Sequence, residues 1–101
     1  MMETVTATST IVASRDQVAA DLEAELVILN LNAGVYYGLD LIGTRIWNLA
    51  KEGRNVGQIE QAILAEYDVE PDRCRRDLYR LLEKLADAGL VSIQNLPAVT
   101  A

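Results

Sequence analysis

Hydrophobic positions change their period once along this chain, near residue 40. Before it, apolar residues fall in short runs; after it they recur every three or four residues. Residues 25–40, ELVILNLNAGVYYGLD, read as two strands, 26–31 and 35–39, joined by Asn32-Ala33-Gly34. A three-residue hairpin loop ending in Gly puts that Gly in the left-handed region, which a residue with a Cβ resists. The first strand is apolar on both faces, with Asn30 the exception. Such a strand needs cover on both sides, or leaves one face for a partner. The second strand alternates Val35, Tyr37 and Leu39 with Tyr36 and Gly38. Upstream, Ile11 and Val12 open a further short strand, Ser14-Arg15-Asp16 reads as a bend, and 17–22 is expected to pair with the hairpin in a three-stranded antiparallel meander.

Beyond Leu39 the period is helical. Asp40 is a good N-cap, and Ile42, Ile46, Leu49 and Ala50 share one face with Trp47 beside them, up to a stop at Gly53. Asn55 caps a second helix, with Gln58 in the capping-box position and Val56, Ile59, Ile63 and Tyr67 as its stripe. A third helix starts at Pro71, with Glu70 and Asp72 at its positive end. Its stripe is Cys74, Leu78, Leu81, Leu82 and Leu85, and Gly89-Leu90 ends it; Val91 to Ile93 add a short strand. Strands followed by helices point to an α+β fold. Three helices with a terminal β element are also the parts of a winged helix-turn-helix. We expect a flexible N-terminal segment over 1–16, one domain over 17–93 and a tail over 94–101.

Composition narrows the function. The 101 residues are 50% hydrophobic, enough for one self-supporting core and against disorder throughout. No apolar run nears the roughly 20 residues that span a bilayer, and the N-terminus lacks the features of a secretory signal. A single cysteine permits no internal disulfide, so a cytoplasmic location is expected. There is no histidine, which removes Ser-His and Cys-His catalysis and His-containing zinc sites. No phosphate-cradling glycine motif is present, and Asp68, Glu70 and Asp72 are explained by their helix start. Cys74 falls on an apolar stripe, where a thiol is a small buried hydrophobe. No enzyme, cofactor or metal is expected.

Two binding readings remain. The net charge of -6 disfavours nucleic acid, yet five of nine basic residues lie between 73 and 84. Arg73, Arg76, Arg80 and Lys84 share a helix face, as in a winged-helix DNA reader, with Asp77, Glu83 and Asp87 interleaved. In the other reading an extended peptide pairs with the free edge of strand 35–39, its side chains entering a groove against the third helix. Tyr36 and Tyr37 suit such a site, and Leu78, Tyr79 and Leu82 would line its far wall, with Arg75 meeting a peptide carboxylate. Ordinary sheet packing is the better account of Tyr37, which is in phase with Val35 and Leu39, and Tyr36 is the freer by strand phase. An exposed edge also permits a dimer through 35–39, so monomer and edge-strand dimer both stay open.

The runs LVILNLNAGVYYGLDLIGTRIWNLA, IEQAILAEYDVEP and DLYRLLEKLADAGLV resemble the PqqD-like family over residues 18–93. The carrying motifs are the turn Gly34, Tyr37 and Leu39, Gly43, Ile46-Trp47 and Gly89-Leu90-Val91. The resemblance implies a winged-helix-like, non-catalytic element that recognises the leader of a ribosomally made precursor peptide by strand addition. It implies contacts at Val35, Tyr36, Tyr37 and Gly38; on the third helix, periodicity selects Arg75, Leu78, Tyr79 and Leu82. The compact form with GVYYGLD and IW is similar to lasso-peptide members, which serve a leader peptidase and a macrocyclase. Members in quinone-cofactor synthesis work with a radical enzyme.

Overall fold

The computed structural model describes residues 5–15, 17–22 and 25–95. The order is β1 (Thr10–Ala13), β2 (Gln17–Leu22), β3 (Glu25–Asn30), β4 (Val35–Leu39), α1 (Leu41–Lys51), α2 (Val56–Glu66), α3 (Pro71–Asp87) and β5 (Val91–Gln94). Strands β2-β3-β4 form the expected antiparallel meander, and three helices follow it. β3 ends one residue before the sequence pattern suggests. Asn30 accepts the Gly34 N–H on its carbonyl (2.9 Å) and starts a four-residue turn over 31–34. Gly34 closes it at φ +69°.

Helix boundaries follow from their caps. The Asp40 carboxylate accepts from Gly43 N (2.8 Å), and Asn55 and Gln58 complete a capping box. Glu70 caps α3 through Asp72 N and Arg73 N, with Pro71 in the first turn. At the far end Leu90 N donates to Leu85 O and Gly89 N to Ala86 O, the paired closure of a left-handed glycine cap.

Of the stretch expected to be flexible, residues 5–15 are described and are part of the fold. β1 pairs antiparallel with β5 in a second, two-stranded sheet, from Thr10↔Gln94 to Ala13↔Val91. Ahead of β1, the Ala7 and Ser9 carbonyls accept from Gly57 N (2.8 Å) and Val56 N (2.9 Å). These are first-turn N–H groups of α2, which its own helix leaves without partners. Val5 is buried beside them, and the buried Ser9 hydroxyl donates to Asn95. Small polar residues therefore serve here as backbone donors and acceptors, a role that composition hides. The first four residues and the tail from Leu96 lie outside the described residues.

The core lies between the meander and the helices. Leu26, Ile28 and Leu39 face Ile46, Trp47 and Leu49 of α1, the helix that packs on β3 and β4. α2 and α3 add Val56, Ile59, Ile63, Leu78, Leu82 and Leu85, and the β1–β5 sheet adds Ile11, Val91 and Ile93. No helix among the described residues is long and apolar enough to cross a membrane.

One exposed ion pair ties α1 to α2. The Arg45 guanidinium meets the Glu66 carboxylate through Nε–Oε1 (3.0 Å) and Nη2–Oε2 (2.9 Å). Its hydrogen bonds hold the Glu66 carboxyl below its ordinary value of 4.5. A depressed carboxyl contributes stability above the unfolded value and loses it as pH falls through the folded one. Glu66→Gln is therefore expected to lower the urea midpoint slightly at pH 7, with the deficit shrinking as pH falls below 4.5. A deficit that stays constant down the acid range would refute the assignment.

Candidate functional site

Among the described residues β4 is an edge strand, with β3 on one side only. An edge strand presents unpaired backbone N–H and C=O groups, a template for another strand. Its register with β3 runs from Asn30↔Val35 to Leu26↔Leu39. Pleat alternation sends Tyr37 and Leu39 inward, the same side as Ile28 and Leu26. Tyr36 goes outward at 71% exposure, in a cross-strand row with Leu29 and Val18.

Asn30 positions this edge. Its side chain lies 8% exposed at the end of β3. Oδ1 accepts from Asn32 N (3.0 Å) and Ala33 N (3.1 Å), holding the turn. Nδ2 donates to Ala88 O (3.0 Å) and Gly89 O (3.3 Å) at the end of α3. One amide therefore fastens the β3–β4 turn to the C-terminal end of α3. The space is reserved for it: a Cβ on Gly89 would stand 2.7 Å from Nδ2, besides the strain of φ +72°.

Between β4, the start of α1 and α3 lies a cleft of about 750 Å³. Its strand wall is Tyr37, Gly38 and Leu39, and its floor includes Ile42, Ile46 and Ile63. The opposite wall is one flank of α3, with Cys74, Leu78 and Leu81 inside and Arg73 and Asp77 at the mouth. Burial pushes the Cys74 thiol up, with the Glu60 and Asp77 charges acting in the same direction. Cys74 is thus a neutral, apolar part of the wall. The mouth also carries Glu25, Asp40, Asp68 and Glu70, all exposed.

The sequence-derived site residues divide. Tyr37, Gly38 and Leu78 come together in the cleft. Val35 and Tyr36 belong to the same strand edge but do not line it. Leu82 is 1% exposed in the core, and Tyr79 is packed against that core without lining the cleft. Arg75 turns toward α2, where its guanidinium meets the buried Glu60 carboxylate (Nη2–Oε2 3.1 Å, Nε–Oε1 3.2 Å). Periodicity identified the α3 stripe correctly; the cleft uses its other flank, Arg73, Asp77 and Leu81. Their i, i+4 spacing was the available signal, but nothing local says which flank meets the sheet.

A winged-helix-like α+β domain with an open strand edge above an apolar cleft is the class that this fold and site define. The family model for coenzyme PQQ synthesis protein D (PqqD) matches residues 25–91, about two thirds of the chain. The chain belongs to the PqqD family, as its hairpin and helix motifs led us to expect. Two solved structures share the fold, each with a TM-score of 0.74. One is TbiB1 in complex with the TbiA(beta) leader peptide, 41% identical, the match covering 79% of this chain and 93% of that one. The other is a lasso peptide synthetase B1 complexed with the leader peptide, 23% identical, covering 86% and 98%. Among curated proteins none matches.

Proposed function

We propose that this chain is a non-catalytic recognition element that binds the leader segment of a ribosomally made precursor peptide, of lasso-peptide type. The leader adds as a strand to β4, and its alternate side chains enter the cleft. The observation that carries this reading is the open β4 edge standing directly above an apolar-floored cleft. Strand addition supplies register through backbone hydrogen bonds, and pockets for alternate side chains supply selectivity. A relative 41% identical, solved with a leader peptide, supports it. On this reading the contacts are the β4 backbone, the Tyr37 ring and the Leu78–Leu81 flank of α3. The bound leader is then passed to a leader peptidase or macrocyclase in the same compartment.

The test is a fluorescence-polarisation titration of labelled leader, using the TbiA(beta) leader and any precursor encoded beside this gene. A Kd tighter than about 100 μM, roughly 5 kcal/mol of binding, is expected. Weaker binding of every candidate counts against the reading. Salt-dependent capture of duplex DNA in a gel shift would instead favour the winged-helix DNA reader.

A further inference from the structure

The cleft and α3 sort their charges by side. Of the five basic residues between 73 and 84, Arg73 is the one that lines the cleft. Arg73 is itself 3.7 Å from Asp77 on the next turn. Arg75 is held by Glu60, and Arg76, Arg80 and Lys84 are absent from the lining. Carboxylates do the opposite: Glu25, Asp40, Asp68, Glu70 and Asp77 all stand along the mouth.

Two of these five are engaged by backbone, Asp40 and Glu70 as helix caps. The carboxylates of Glu25 and Asp68 make no hydrogen bond or ion pair among the described residues, and that of Asp77 has only its long contact with Arg73. The groups are strung along the cleft rather than focused on a point. No three of them among the described residues come together to hold a metal ion. An apolar floor under a line of carboxylates complements an extended chain with apolar side chains pointing in and a cation at the rim.

We infer that the cleft selects a cationic peptide: its occupant carries Lys or Arg beside the apolar anchors, facing Glu25, Asp68 and Asp77. This deepens the leader-binding reading and rests on it. An exposed ion pair changes an equilibrium constant by a few-fold. Exchanging Lys for Glu at one position replaces that attraction with a repulsion of similar size, so the two peptides differ by about tenfold at low salt, and screening removes most of that near 1 M, where the Debye length is about 3 Å.

The experiment is a charge scan by fluorescence polarisation on the full chain. The TbiA(beta) leader is the template, and each position of its strand-forming segment is changed in turn to Lys and to Glu. At one or more adjacent positions the Lys peptide should bind about tenfold tighter than the Glu peptide in 50 mM salt, and within about twofold in 1 M salt. The triple variant Glu25→Gln, Asp68→Asn, Asp77→Asn, its fold checked by circular dichroism, should lose that preference. Equal affinities at every position, a preference for Glu, or a preference that survives the triple variant would each overturn the inference. No binding by any peptide up to 1 mM would overturn the leader-binding reading first, and this inference with it.

Discussion

Asn30→Ala is expected to lower the unfolding free energy by about 2–4 kcal/mol and to weaken leader binding. The substitution removes four hydrogen bonds at once, two into the turn and two to the end of α3. Each is worth about 0.5–1.5 kcal/mol net, against a total stability of roughly 5–15 kcal/mol. The effect on binding follows from position. The amide ties the turn that leads into β4 to the end of α3, the two elements whose other parts wall the cleft, so its loss loosens β4 against α3. Asn30→Asp separates the contributions: it keeps the two acceptor bonds and loses both donor bonds. It also sets a carboxylate against two carbonyls at the negative end of α3. It should be at least as damaging as Ala at pH 7. Urea unfolding followed by the single tryptophan, Trp47, 2% exposed, measures both variants. A loss below about 0.5 kcal/mol, the scale of an ordinary surface substitution, would remove Asn30 as the fastening.

The second large effect concerns the paired tyrosines. Tyr37→Ala is expected to weaken leader binding by tenfold or more, and Tyr36→Ala by no more than about threefold. A buried aromatic ring contributes about 1.5–3 kcal/mol, or roughly 10- to 150-fold at 1.4 kcal/mol per decade. The Tyr37 ring lines the cleft, whereas Tyr36 stands on the opposite face of the sheet. Tyr36→Pro is a different test, because proline removes a backbone donor from the edge. A folded Tyr36→Pro variant with unchanged affinity would refute strand addition at β4. Equal losses for the two alanine variants would refute the orientation of the site.

Local chemistry was enough for the elements. The change of hydrophobic period at residue 40, the caps at Asp40, Asn55 and Glu70, and the left-handed stops at Gly34, Gly53 and Gly89 are each read from a few neighbouring residues. So were the meander, the three helical stripes and the family motifs. A helix stripe or a strand phase records only that a face is buried, so these features were determined by sequence.

Tertiary structure decided what sits on either side of those faces. Arg75 and Arg73 flank the same α3 stripe, yet one meets α2 and the other the cleft. Residues 7–9 look like a solvated end, yet the Ala7 and Ser9 carbonyls accept from the first turn of α2. Asn30 reads as the odd polar residue in an apolar strand, and two of its four partners lie 58 and 59 residues away. Long-range backbone partners leave no periodic trace, because any residue can supply a carbonyl. That is why the sequence determined the parts and their family, and only the packing decided which wall of α3 faces the strand edge.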